Sequence, residues 1–222
     1  MKTILAWHWS DGLKCQFDNR PIVPGETLVY DGKEPIELCK RGLHASTKIL
    51  DALAYAPGTT ISRVRLSGRI LRDDVKVVAT HRTCLWAFDA KYILISWAAD
   101  CAERALLLEQ RVGREPGFAR RLAAIEAARK FVKDPTEENR LAGGYFSDEV
   151  STDETYAYLH AGRAANVVAE TVLALSLSLP TGHRAGAAHS TANAVIEAYR
   201  KERRWQSAHL RNLIAAGRAT GP

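Results

Sequence analysis

Residues 75–110 read VKVVATHRTCLWAFDAKYILISWAADCAERALLLEQ, and the spacing of apolar residues changes in the middle of this stretch. Residues 75–80 are rich in valine, which predicts a β-strand. Between residues 92 and 111, apolar side chains recur near every third or fourth position, which predicts a long helix. The change falls near Phe88 and Asp89, so we expect differently built parts on its two sides.

The part before this change predicts a mainly antiparallel β-sheet covered by one short helix. Short apolar stretches alternate with turns that contain Gly, Pro or Asp, which is typical of antiparallel strands. Strands are predicted over residues 3–9, 26–30, 36–39, 59–66 and 75–80. Ser46 is expected to cap the N-terminus of a helix over residues 47–55, and Pro57 and Gly58 end that helix.

The part after the change predicts an alanine-rich, all-α helical bundle. Helices are predicted over residues 92–111, 118–132, 136–141, 154–179 and 184–205, with a last turn or two over 207–216. Residues 143–153 are acidic and predict an exposed loop. The fold class is therefore α+β, with these predicted domains: a β-rich module over residues 1–88, a helical bundle over 89–216 and a frayed tail over 217–222.

The composition indicates an ordinary globular protein. Hydrophobic residues make up 46% and charged residues 25% of the 222 residues, which excludes a disordered or fibrous chain. No apolar run reaches the roughly 20 residues of a membrane-spanning helix, and the N-terminus lacks the pattern of a signal peptide, so we expect a cytoplasmic protein. The four cysteines lack metal-binding spacing, and we expect reduced thiols, no metal and no cofactor.

Four segments of the first part occur in an order that resembles a family of phage and prophage domains. They are ELCKRGLHAS at 37–46, LDALAYAPG at 50–58, RVRLSGRI at 63–70 and VKVVATHRTCLW at 75–86. The shared pattern is Cys-x-x-Gly-Leu-His, followed by a short helix, a strand and a Lys before the next strand. The resemblance implies a phage or prophage origin, and it implies no activity because the function of that family is unknown.

Four segments of the second part are similar to the alanine-rich immunity proteins of bacterial polymorphic toxin systems. They are WAADCAERALLLEQ at 97–110, RLAAIEAARKFVKDP at 121–135, AAHSTANAVIEAY at 187–199 and ERRWQSAHLRNLI at 202–214. This resemblance implies a helical protein that binds a toxin. Within these segments, we expect Asp100, Glu126 and Arg129 to form a buried network between helices.

The sequence GLHAS at residues 42–46, with Tyr55 downstream, supports two interpretations. It resembles elements of ADP-ribosyltransferase-like domains, which implies that His44, Ser46 and Tyr55 bind NAD. The structural interpretation is that His44 fixes a turn between a strand and a helix, and that Ser46 caps the helix. No glutamate follows in the Glu-x-Glu pattern of such enzymes, so we favour a protein without catalytic activity.

We therefore expect a binding or immunity-type protein of a phage or mobile element, which occludes a toxin, nuclease or defence component through complementary surface and charge. The predicted partner-binding residues lie in the acidic loop and in a basic C-terminal stretch: Asp148, Glu149, Asp153, Arg200, Arg203, Arg204 and Trp205. The net charge of +6 permits acidic partners. An alternative for the basic stretch is nucleic-acid binding, because arginines neutralise phosphates and a tryptophan stacks on a base.

Overall fold

A computed structural model describes residues 2–111, 118–139 and 185–220. These residues fall into two compact units, one ending at Lys91 and the other spanning Tyr92–Thr220. The end of the helix predicted over 136–141, the acidic loop predicted over 143–153 and the helix predicted over 154–179 lie outside the described residues. Among the described residues, no helix combines the length and the apolar character that crossing a membrane requires.

The first unit is an antiparallel sheet of five strands with one short helix. Its elements are β1 (Ile4–Ser10), β2 (Thr27–Val29), β3 (Leu43–Ala45), α1 (Ile49–Leu53), β4 (Thr60–Arg72) and β5 (Val77–Asp89). The strand order is β1-β4-β5-β2, and β3 pairs with β5 as well. The mainly antiparallel sheet with a short helix is therefore confirmed for this unit.

The sheet curls because β3 contacts both β5 and β1, which are separated by β4 in the strand order. Its residues Leu43–Ala45 pair with β5. Just beyond it, Ser46 donates its N–H to the carbonyl of Trp7 at 3.0 Å and accepts the N–H of Trp7 at 2.8 Å. Aliphatic side chains from four strands fill the space so enclosed: Ala6, Ala45, Val64, Leu66, Val77 and Ala79. These bonds connect β3 to β1, which lies at the opposite edge of the sheet.

The pairing of β4 with β5 extends further than the sequence predicts. The prediction ended these strands at residues 66 and 80, whereas they run to Arg72 and Asp89. A register shift occurs between Ser67 and Ile70, where Gly68 adopts a φ of 78° and a Cβ would lie 2.1 Å from the Thr80 hydroxyl. Glycine therefore allows the strand to bend there and continue.

Two predictions about the segment before α1 are wrong. Residues 36–39 form no strand, because Cys39 has a φ of 64° and Glu37 pairs with Arg41 in a tight turn. Ser46 does not cap α1: the residue at the cap position is Lys48, and no side-chain hydrogen bond is made there. Ser46 is instead 3% exposed and uses its backbone to hold β1.

The described part of the second unit contains three long helices, α2 (Lys91–Arg111), α3 (Phe118–Lys133) and α4 (Ala185–Thr220). Residues 137–139 are also helical, within the helix predicted over 136–141. The predictions for α2 and α3 are confirmed to within one residue at each end. The prediction that a helix ends near Trp205 and that helical structure stops at Ala216 is wrong, since α4 continues without a break to Thr220. Trp97, Leu94, Leu210 and Ile214 are at most 1% exposed, and each such burial stabilises the fold by about 1.5–3 kcal/mol.

A group of charged side chains joins the helices of the second unit. The Arg129 guanidinium donates to Asp100 Oδ1 at 2.8 Å and to both carboxylate oxygens of Glu103, and these bonds raise the pKa of Arg129. His209 Nε2 lies 2.8 Å from Asp100 Oδ2. The predicted ion pair between Asp100 and Arg129 is therefore present, but it is half-buried rather than buried. Glu126 is exposed and takes no part, and Glu103 binds Arg129 instead.

Candidate functional site

A cavity of about 430 Å³ opens in the first unit, where β1 and β3 separate beyond the Trp7–Ser46 bonds. β1 and β3 supply part of its wall, and β5 supplies Arg82. The rest comes from α1 with Tyr55 beyond it and from the loops at residues 15–20, 30–31 and 39–42. All three ligand-binding candidates from the sequence, His44, Ser46 and Tyr55, line this cavity.

Arg82 is the buried cation of the cavity. It is 5% exposed, and its guanidinium donates to the carbonyl of His44 at 2.9 Å and to the Cys15 sulfur at 3.2 Å. Among the described residues, no carboxylate forms a salt bridge with it. Burial lowers the pKa of Arg82, but arginine keeps its charge in proteins. The wall of the cavity thus contains a positive charge that forms no salt bridge with a described carboxylate, although the charge of Asp18 acts on it from a greater distance.

Two residues that line the cavity each contain a buried side-chain atom with no hydrogen-bond partner among the described residues. These atoms are Nδ1 of His8 and Nε1 of Trp9. In an antiparallel ladder, the backbone groups of alternate residues face the same side. Trp7 bonds to Ser46, so the backbone N–H of Trp9 faces that side as well, where the cavity begins. The backbone N–H of Trp9 is therefore a hydrogen-bond donor at this end of the cavity.

His44 holds its turn with both ring nitrogens. Its Nε2 accepts the backbone N–H of Cys39 at 3.0 Å, and its Nδ1 lies 3.1 Å from the carbonyl of Gly42. A carbonyl only accepts, so Nδ1 carries the proton and the ring is the neutral tautomer. Burial is the main cause that lowers the pKa of His44, and the charges of Lys76 and Arg82 lower it further. The imidazole thus shapes the segment over residues 39–44.

His8 is also kept neutral. Burial lowers the pKa of His8 well below its usual value, and the nearby charge of Arg82 and the ring of His44 lower it further. A neutral imidazole at this place can donate or accept one hydrogen bond through Nδ1, depending on its tautomer.

Most cations around the cavity are neutralised by neighbouring carboxylates. Arg20 binds Asp18 at 2.8 Å, and Arg41 binds Glu34 and Glu37. Lys76 differs. Its ammonium lies 3.5 Å from the Cys39 sulfur and 3.5 Å from the centre of the Tyr55 ring, and no salt bridge to a described carboxylate is formed. Lys76 and Arg82 are therefore the two cations of this wall that are open to an anionic ligand.

The basic C-terminal candidates lie on α4 in the second unit and do not form one free surface. Trp205 is half-buried, stacks on His209 with ring centres 5.0 Å apart and lies under the Arg104 guanidinium at 4.6 Å. Arg204 binds Glu197 at 2.5 Å, whereas Arg200 is exposed. The candidates Asp148, Glu149 and Asp153 lie outside the described residues.

Sequence reasoning missed the three residues that give the cavity its chemistry: Arg82, His8 and Trp9. Each lies within a strand, where the local pattern does not separate a buried polar side chain from an exposed one. The order of residues 7–9, in which an imidazole lies between two tryptophans, was the available signal. Within the described residues, no group of three His, Cys, Asp or Glu side chains could hold a metal ion. All four cysteines are free, and only Cys39 is exposed.

Comparison with known proteins places a domain on the first unit and its cavity. No curated protein and no solved structure matches the chain. The phage origin, and the resemblance of residues 97–214 to immunity proteins, therefore stay predictions. Residues 9–96 match the family DUF7666, a domain of unknown function.

Proposed function

We propose that the first unit binds a small anionic molecule in its cavity and performs no chemistry on it. The observation that carries this proposal is Arg82, a guanidinium that is 5% exposed, lines the cavity and forms no salt bridge with a described carboxylate. This proposal differs from the sequence-based expectation, which was occlusion of a toxin, nuclease or defence component through complementary surface and charge.

The argument is energetic. A buried charge without a counter-ion loses hydration and gains no ion pair in return, which costs several kcal/mol. The two bonds of Arg82 to a carbonyl and to a thiol recover only part of this cost, because neither acceptor is charged. An anion in the cavity would supply the missing charge, and hydrogen bonds between charged groups are about twice as strong as neutral ones.

The proposal of a binding role follows from the state of the other polar groups. His44 has both ring nitrogens engaged by backbone atoms, so it is not available as a general base. The carboxylates among the described lining residues are Asp18 and Asp31, and Asp18 is bonded to Arg20. An ADP-ribosyltransferase-like reaction, the alternative from the sequence, would require a different constellation.

The test is anion binding by the full chain, measured by calorimetry and by thermal unfolding with inorganic phosphate and sulfate. We expect saturable binding that raises the unfolding temperature and that the variant Arg82→Met abolishes. Arg65→Met is the matched control, since Arg65 is an exposed arginine on the adjacent strand β4 and does not line the cavity. Equal phosphate binding by the two variants would refute the proposal.

Arg82→Met is expected to fold. The substitution removes the cost of burying a charge that has no ion pair. It also leaves the carbonyl of His44 without the bond at 2.9 Å, which costs about 1–3 kcal/mol, so the two effects offset each other. The unfolding temperature without phosphate checks this directly. A folded variant that still gains stability from phosphate would contradict the assignment.

For the whole chain, occlusion of a toxin, nuclease or defence component is a second proposal, and it rests on the sequence resemblance of residues 97–214. Of its predicted contact residues, Arg200 is exposed, while Arg204 is paired with Glu197 within α4. Arg200→Glu should abolish neutralisation of a toxin if this face of α4 makes the contact. Binding to single-stranded nucleic acid that weakens steeply with salt would favour the alternative.

A further inference from the structure

Resting on the proposed anion site, we infer that the ligand is a nucleoside monophosphate, with its phosphate at Arg82 and its base against the Tyr55 ring at the mouth of the cavity. The proposed function requires only an anion. The composition of the wall and the geometry around Lys76 specify the rest of the molecule.

The cavity wall is rich in aromatic side chains. The chain contains 5 Trp, 7 Tyr and 5 Phe, or 8% of its residues, and five of these line this cavity: Trp7, Trp9, Phe17, Tyr30 and Tyr55. Sites that combine aromatic rings with cations bind phosphorylated aromatic molecules, because the rings stack on a base while the cations bind the phosphate. A small inorganic anion would use only the cations.

Tyr55 and Phe17 are the exposed members of this set. Their exposed fractions are 55% and 87%, although both have large apolar rings. Exposed aromatic side chains at the mouth of a cavity lose this unfavourable exposure when a planar ligand covers them. They differ in this respect from Trp9, which is 4% exposed and belongs to the inner wall.

Lys76 fixes the Tyr55 ring. Its ammonium lies 3.5 Å from the ring centre, a contact that restrains the ring and places a positive charge beside it. The charge of Lys76 also reaches His44, as does that of Arg82. Cys39, whose sulfur lies 3.5 Å from the Lys76 ammonium, donates its N–H to His44 Nε2, and Arg82 donates to the carbonyl of His44. A ligand that lies along this wall therefore meets a cation and a ring at the mouth and a second cation further inside.

The size of the cavity agrees with one nucleotide. Ligand sites in proteins span about 300–1,000 Å³, and the volume of about 430 Å³ lies in the lower part of this range.

The first experiment compares ligands that contain different parts of a nucleotide, using the full chain and calorimetry. The probes are inorganic phosphate, ribose 5-phosphate, adenosine, NAD, and the monophosphates of adenosine, guanosine, cytidine and uridine. Stacking of a base on an aromatic side chain is worth about 5- to 150-fold in affinity. We therefore expect at least one monophosphate to bind at least about fivefold more tightly than ribose 5-phosphate. Tighter binding of NAD than of every monophosphate would overturn the inference.

The second experiment changes the ring. Tyr55→Leu should weaken the tightest monophosphate about 5-fold or more and leave the affinity for inorganic phosphate unchanged, whereas Tyr55→Phe, which keeps the ring, should retain binding. Equal monophosphate affinity in Tyr55→Leu and the unmodified chain would overturn the inference.

The two proposals fail in different ways. If inorganic phosphate binds and Arg82→Met abolishes the binding, while no monophosphate exceeds ribose 5-phosphate, the anion site stands and the nucleotide inference is wrong. If neither phosphate nor any monophosphate binds, both are wrong. Thermal unfolding of each variant without ligand shows whether a loss of binding comes from a loss of folding.

Discussion

The neutral imidazole of His8 should make the stability of the first unit depend on pH. Its pKa is lowered by burial and by the charge of Arg82. Below its ordinary pKa of about 6.5, the unfolded chain binds a proton at this residue and the folded chain does not. The free energy of unfolding must then fall as the pH falls through 6.5, and it continues to fall until the folded-state pKa is reached.

The magnitude follows from the linkage relation. If His8 stays neutral in the folded state, the proton taken up by the unfolded chain removes about 1.4 kcal/mol of stability between about pH 7.5 and about pH 5.5. This is the largest loss of stability that one histidine can cause over this pH interval. The pKa of His44 is also lowered by burial, so His44 contributes to the same trend.

The assay is urea unfolding at these two pH values in phosphate-free buffer, for the unmodified chain and for His8→Gln. Glutamine stays neutral at both pH values, so the pH-dependent loss should be smaller in the variant by up to about 1.4 kcal/mol. Any packing cost of the substitution is the same at both pH values and cancels. An equal loss in both proteins, or an NMR titration of the His8 ring near pH 6.5, would refute the reasoning.

Three further substitutions test a glycine turn in the first unit, and a buried hydrogen bond and an ion pair in the second. Gly42→Ala should destabilise the first unit by about 1–3 kcal/mol, because Gly42 has a φ of 114° and a Cβ would lie 2.6 Å from the Val78 side chain; urea unfolding measures this. Trp97→Phe should lower the free energy of unfolding of the second unit by about 1–3 kcal/mol. The reason is that the indole N–H donates to the carbonyl of Gln206 at 3.1 Å and the side chain is 0% exposed. A change below about 0.5 kcal/mol in urea unfolding would contradict this. The hydrogen bond from Arg129 lowers the pKa of the Glu103 carboxyl. The stability that this ion pair adds is therefore present above about pH 4.3 and is lost as the pH falls further. Glu103→Gln should reduce the loss of stability at acid pH, which thermal unfolding between about pH 3 and about pH 7 would show.

Local signals predicted the elements whose boundaries depend on nearby residues. The helix α2 begins where the valine-rich pattern gives way to helical spacing, and Asp89 Oδ1 accepts the N–H of Lys91 at its start. The strand β1 was predicted to within one residue at each end. In these cases periodicity and turn residues are sufficient, because the same residues determine the element and its end.

The segment before α1 shows why the remainder was missed. Residues 36–39 alternate like a strand, yet Cys39 takes a left-handed φ of 64° and the strand forms later, at Leu43–Ala45. Its partner in the sheet is Val77–Ala79, more than thirty residues away. Pairing at that distance is a tertiary effect, and it overrides a local pattern.

The same limit applies to the candidate site. His44 and Tyr55 were found because they belong to a recognisable motif, and both line the cavity. Arg82 was not found, because its burial depends on contacts with Cys15 and His44 on other segments. No spacing within β5 reveals which of its polar residues is enclosed.

The attachment of β3 to β1 through a single residue pair has a consequence for motion. Two peptide hydrogen bonds between Trp7 and Ser46 fasten the wall at this side, whereas β4 and β5 are paired from Thr60 to Arg72. Local opening of the sheet should therefore start at the Trp7–Ser46 pair and leave the pairing of β4 with β5 intact. Amide exchange of Ser46 should therefore be faster than that of Val64. A bound ligand that contacts both β1 and β3 should slow the exchange of Ser46. We therefore expect a ligand to enter the cavity where β3 separates from β1.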